Sequence, residues 1–190
     1  MASEFQKQKI DRIYEVLDVE GTGALTFQSF LADAERGALR MHADPEQARR
    51  TMETIRPGIE TLWDWMTRFD RNADGEVTPD EFRHGYGDIV LRDPAGFENV
   101  IMSGAEAWFT TGDANGDGVL SREEYTAFFG ASLGLTSREA ERGFDSMVAN
   151  GTDALTRERY KEMVRDYYLG DDEDSPSALF LGRLKGPGDG

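Results

Sequence analysis

Along the chain, apolar side chains recur at helical spacing, and four times that rhythm is interrupted in the same way. Each interruption is a short stretch of polar and glycine residues, followed by one aliphatic residue and a new apolar-periodic segment. The repeating unit is helix, polar loop, helix. Four such units predict an all-α protein of about eight helices, with short two-stranded bridges where loops pair.

Two of the loops satisfy the pattern D-x-[DN]-x-[DN]-G-x5-E completely: residues 70–81 and 113–124. A hard divalent cation such as calcium takes about six to eight oxygens, and a twelve-residue loop offers them at positions 1, 3, 5, 7, 9 and 12. In the loop 70–81 these are the side chains of Asp70, Asn72, Asp74 and Glu81, the carbonyl of Glu76, and Thr78 directly or through water. In the loop 113–124 they are Asp113, Asn115, Asp117 and Glu124, the Val119 carbonyl, and Ser121. Gly75 and Gly118 stand where the loop needs a positive φ. Val77 and Leu120, at position eight, are placed to bridge to a partner loop. Thr78 with Glu81, and Ser121 with Glu124, also read as capping boxes that start the outgoing helices, with Pro79 at the tolerated first helical position. Polar turns between helices favour Asp, Asn and Gly in any case. Such turns do not require every ligand position to be filled in register twice, so calcium is the expected ion, with magnesium as its competitor.

The other two loops depart from the pattern. Loop 18–29 keeps Asp18, Glu20, Thr22 and Gly23 but ends in Ser29, losing one charge and two oxygens, so it is expected to be empty or weakly occupied. Loop 148–159, aligned by placing Leu155 at position eight, has Val148 first, Asn150 third, Thr152 fifth, Asp153 sixth and Arg159 last. A cation at position twelve predicts no calcium there. Its expected use is as a brace, with Leu155 bridging to Leu120 as Leu25 bridges to Val77. The loop starts 18, 70, 113 and 148 leave the longest interval between the first two, so extra helix is expected there. Asp44-Pro45 signals a helix start, Pro57 predicts a kink or break near Arg56, Asp93-Pro94 marks the junction between halves, and Thr136 with Glu139 caps a further helix. The expected organisation is one EF-hand pair over 1–92, a second over 93–170, and an acidic and apolar tail over 171–190.

Composition narrows the partners. There are 37 acidic against 21 basic residues, a formal net charge of −16, which disfavours nucleic acid and anionic membranes. Cysteine is absent, and His42 and His84 stand beside no nucleophile motif, so no enzyme is expected. The opening residues Met1-Ala2-Ser3-Glu4-Phe5-Gln6-Lys7 carry no apolar run and no stretch approaches membrane-spanning length, so the expectation is a cytoplasmic monomer. Asp171-Asp172-Glu173-Asp174 lacks the glycine and spaced register of a site and reads as a solvated turn, and Lys185–Gly190 as a frayed end.

The uneven loop spacing resembles that of the sarcoplasmic calcium-binding protein family with its calerythrin-like members. So does the segment Glu124-Tyr125-Thr126-Ala127-Phe128-Phe129-Gly130, which leads to Leu133-Gly134-Leu135. The end Tyr167-Tyr168-Leu169-Gly170-Asp171-Asp172-Glu173-Asp174-Ser175, followed by Ala178-Leu179-Phe180-Leu181-Gly182, is similar as well. The resemblance implies a compact body with two EF-hand pairs packed face to face, and a cytosolic calcium buffer or transporter. Members of the family often keep three working loops including the first, whereas here two are counted. Seven scattered methionines and twenty aromatics fit a closed buffer better than the Met-rich groove of a sensor. A calcium-dependent interaction module and a hydrophobic-ligand carrier or enzyme stand as alternatives.

Overall fold

The protein is described by a computed structural model covering residues 2–42, 44–148 and 152–184. Eight α-helices form among these residues: α1 (Glu4–Leu17), α2 (Phe27–Met41), α3 (Pro45–Met66), α4 (Pro79–Gly85), α5 (Pro94–Gly112), α6 (Arg122–Leu133), α7 (Ser137–Met147) and α8 (Arg157–Leu169). A π-helical turn, Tyr86–Val90, extends α4, and a 3-10 turn, Pro176–Leu179, lies in the tail. The helix starts follow from local chemistry. Thr78, Ser121 and Thr136 each accept the N–H of the glutamate three residues on, while that glutamate reaches back to the cap. Asp44 and Asp93 cap helices that begin with proline. A cap of this kind contributes about 1 kcal/mol.

Consecutive helices embrace a loop, and the loops pair. Strands β1 (Val119–Ser121) and β2 (Ala154–Thr156) are antiparallel with Leu120 facing Leu155, and Leu25 bridges Val77. All four of these bridging residues are buried. The degenerate loops thus hold the complete ones from behind, in the register expected from position eight.

The break expected near Arg56 does not occur. Proline at 57 neither ends nor interrupts α3, which runs unbroken through it for 22 residues. Proline forfeits one backbone hydrogen bond. Ala48, Met52, Ile55, Ile59 and Met66 nevertheless present one buried face on both sides of it, so tertiary packing against α2 and α5 holds the helix together.

The core is continuous across both halves. Trp65, Phe69, Phe82, Tyr86 and Phe97 form a chain of ring contacts from the second repeat into the third. Tyr168 and Tyr167 carry it on from Phe97 to Phe180 in the tail, where Tyr160 joins it to Phe109 and Phe129. The tail is fastened by α1. Lys9 Nζ donates to the carbonyls of Tyr167 (2.8 Å) and Gly170 (2.6 Å), and Arg12 Nε to that of Leu181 (2.7 Å). Burial lowers the pKa of Lys9, against the pull of Asp166 and Asp171. Asp171–Asp174 is an exposed turn, whereas Phe180 and Leu181 are buried. Lys185–Gly190 lies outside the described residues. No helix among the described residues is long and apolar enough to cross a membrane.

Gly85 shows how closely the second repeat is packed. A Cβ there would overlap the Phe69 ring and come within 2.8 Å of Phe69 Cβ. Gly85→Ala is therefore expected to cost about 3 kcal/mol in overpacking against about 1 kcal/mol gained in helix propensity. Urea unfolding should show a lower midpoint with an unchanged slope.

Candidate metal centres

The two complete loops fold alike, with the same residues of each loop serving as acceptors. Gly75 and Gly118 have φ of 84° and 85°, which turns their N–H groups back onto the first residue. Asp70 accepts the N–H of Ala73 (2.8 Å) and Gly75 (2.9 Å), and Asp113 those of Asp117 (3.1 Å) and Gly118 (3.0 Å). Asn72 accepts the N–H of Asp74 and donates its amide to the Asp74 carboxylate, and Asn115 does the same with Asp117. Ala73 is the one described non-glycine residue at positive φ (58°), at position four, where the other loop has Gly116 (73°).

The twelfth residue closes each ring. Glu81 accepts the Arg71 N–H on one oxygen (3.1 Å) and the Thr78 N–H (3.1 Å) and hydroxyl (2.8 Å) on the other. Glu124 accepts the N–H groups of Ala114 (3.1 Å) and Asn115 (3.2 Å) on one oxygen, and the Ser121 N–H (3.0 Å) and hydroxyl (2.8 Å) on the other. Each glutamate thus spans its loop from positions two and three to position nine. The Thr78 N–H and hydroxyl, then the Arg71 and Asn72 N–H groups, hold Glu81 below the ordinary carboxylate range despite desolvation. At Glu124 burial pushes upward, but the bonds from Ser121, Asn115 and Ala114 together outweigh it and the pKa is lowered.

The donors fit a hard divalent cation, since all are oxygens and each loop contributes three carboxylates at the ligand positions. As they stand, the described residues contain no group of three acidic or histidine side chains gathered at metal-holding distance. The carboxylates instead accept backbone N–H groups, and each of their oxygens keeps acceptor capacity beyond those bonds.

The degenerate loops differ at the positions expected. In loop 18–29, Asp18 accepts the Thr22 and Gly23 N–H groups, so the turn forms. The Thr22 hydroxyl lies within hydrogen-bonding distance of both the Asp18 carboxylate (3.1 Å) and the Ala24 carbonyl (3.0 Å). Ser29 keeps the capping role, accepting the Thr26 N–H (3.0 Å), but its side chain is too short to reach across. In loop 148–159, Arg159 Nε donates to the Met147 carbonyl (3.1 Å) just before position one. Here the cation belongs to the protein, and it ties the loop's two ends itself. Asn150, assigned to position three, lies outside the described residues.

One supporting residue escaped the loop pattern. Tyr14, four residues before loop 18–29, donates its hydroxyl to the Val77 carbonyl (3.2 Å), which also accepts the Leu25 N–H (3.0 Å). Burial first, then Asp18 and Glu81, push its pKa up to about 12. A tyrosine at that offset on the incoming helix was the available signal. The two histidines sit apart from the loop oxygens, His42 against Thr51 and His84 against the Asp80 carbonyl.

The profile of the EF hand family matches residues 64–85 and 105–129, which enclose the two complete loops and neither degenerate one. The chain is 26% identical over 172 residues to calerythrin of Saccharopolyspora erythraea, covering 90% of this chain and 93% of that protein. It is 29% identical over 184 residues to the sarcoplasmic calcium-binding protein of Perinereis vancaurica tetradentata, covering 96% and 99%. Its fold matches the coelenterazine-binding protein of Renilla muelleri in its calcium-loaded apo form, with a TM-score of 0.73, 20% identity, and 96% and 100% coverage. The helix–loop–helix repeats with paired loops, two of them matched by the EF hand profile, give the chain an EF-hand architecture. It is similar over nearly its whole length to calerythrin and to the sarcoplasmic calcium-binding protein of Perinereis.

Proposed function

We propose that the chain is an intracellular, monomeric calcium buffer holding one ion in loop 70–81 and one in loop 113–124. The observation that carries this reading is the contrast at position twelve: Glu81 and Glu124 span their loops, whereas Ser29 caps and Arg159 substitutes its own charge. In the first site Asp70, Asn72, Asp74, Glu81, the Glu76 carbonyl and Thr78 would hold the ion. In the second it would be Asp113, Asn115, Asp117, Glu124, the Val119 carbonyl and Ser121. The flexible ligand set and a bidentate-capable glutamate favour calcium, with magnesium competing at higher concentration. Residues 1–92 and 93–170 form the two working pairs, and 171–190 the tail.

A buffer stays closed when it loads, and three features support that. The seven methionines are scattered along the sequence rather than clustered as a sensor's methionine-rich groove would have them. The tail carries Phe180 and Leu181 into the core, and Lys9 and Arg12 tie it to the first repeat. A carrier of a large ligand has less support, because the central cavity is about 170 Å³ while pockets for drug-sized ligands run to about 300–1,000 Å³. The test is the fluorescence of an apolar dye with calcium or chelator. A buffer should change the signal by less than about twofold, and a several-fold rise on adding calcium would favour the sensor.

A further inference from the structure

We infer that the central cavity is a binding site for a small uncharged apolar molecule, separate from the calcium loops. It lies where α2, α3, α5 and α6 meet, and its volume is about 170 Å³. Ile55, Ile59, Val100, Ile101, Trp108 and Phe129 supply much of its wall, and among the described residues no Lys, Arg, Asp or Glu lines it. An apolar cavity of about 150 Å³ stays dry and takes a guest the size of benzene. A charged guest would find no partner and is excluded. The guest is therefore a compact, uncharged, largely apolar molecule on the scale of benzene.

Two glycines argue that the space is kept open. Gly58 and Gly104 line the cavity from the interiors of α3 and α5, where glycine is among the least favoured residues. A Cβ on Gly104 would meet nothing within 4 Å, and one on Gly58 would meet the Gly104 Cα at an ordinary 3.6 Å. Neither glycine is required by a close approach, unlike Gly85, whose Cβ would overlap Phe69. Larger side chains at 58 and 104 would fill the cavity without a clash at Cβ.

Polarity limits the guest further. Thr51 is 9% exposed and lines the cavity, and its hydroxyl lies 2.8 Å from His42 Nε2. A hydroxyl has three hydrogen-bonding positions, so Thr51 keeps capacity for one polar group on the guest. Val19, 41% exposed, also lines the cavity, so the space reaches the surface beside loop 18–29.

The test is a titration of the full-length, calcium-loaded protein with indole, followed by isoleucine methyl NMR. Ile55, Ile59 and Ile101 line the cavity, whereas Ile10 and Ile89 do not. The expected result is saturable shifts at the first three, half-complete at about 0.1–1 mM, with Ile10 and Ile89 unmoved. Gly104→Leu should weaken binding by about tenfold or more while leaving calcium stoichiometry unchanged, and Val100→Phe provides a second filling variant. Thr51→Val should weaken indole more than toluene. Shifts that do not saturate, or that fall equally on Ile10 and Ile89, would overturn the site in the wild type alone. Saturable binding untouched by either filling variant would overturn it too. Calcium counts on the same samples report separately on the two loops.

Discussion

Replacing Glu124 by Gln is expected to remove one of two bound calcium ions, and Glu81→Gln to remove the other. The substitution deletes one negative charge and the option of two carboxylate oxygens on the metal, while keeping length and one carbonyl oxygen. Because affinity in such loops follows ligand charge, the altered site should weaken by about two orders of magnitude or more. Glutamine is also an accepted third residue of a capping box, so the starts of α4 and α6 should survive. The loss would therefore report on metal rather than on folding. Isothermal titration calorimetry at micromolar protein should count two ions in the wild type, one in each single variant and none in the double. Arg159→Ala is the control: it frees the Met147 carbonyl and leaves the count at two. A wild-type count of three or four tight ions, or an unchanged count in either glutamine variant, would contradict the assignment.

Calcium removal should produce the largest change in stability. At millimolar calcium and a micromolar site, linkage contributes about 4 kcal/mol per site when the unfolded chain binds none, or about 8 kcal/mol for two. For a chain of this size 1 kcal/mol moves the melting temperature by about 2–4 °C, so chelator should lower it by about 20 °C. The route is visible in the fold. Glu81 and Glu124 each join a loop to an outgoing helix, and the bridged residues Val77 and Leu120 pass the constraint to the neighbouring repeat. Differential scanning calorimetry of the wild type and the Glu81→Gln, Glu124→Gln double variant separates metal from mutation. The double variant should melt at one temperature with or without calcium. A shift of a few degrees in the wild type would mean that the sites are far weaker than micromolar.

What was legible in the sequence was mostly local. Capping boxes and the glycines at position six are written within twelve residues, and both appear in the structure at the positions expected. Pairing of Leu120 with Leu155 was also legible, because position eight fixes register even in a loop that has lost its ligands. The uninterrupted run of α3 through Pro57 was not, since it depends on packing against helices far along the chain. Nor were the tail clamps: Arg12 meets Leu181 and Lys9 meets Tyr167, pairs that no periodic pattern connects. The cavity is harder still to read. It is defined by what Gly58 and Gly104 fail to fill, and only the assembled helices make that visible.

The central claim is that two loops, and only those two, gather oxygens around calcium. It is tested most directly by diffraction from crystals grown in calcium, with anomalous differences locating the ions. Two peaks are predicted, one within reach of Asp70, Asp74 and Glu81, the other of Asp113, Asp117 and Glu124. An ion in loop 148–159 beside Arg159, or no ion in either complete loop, would contradict the account.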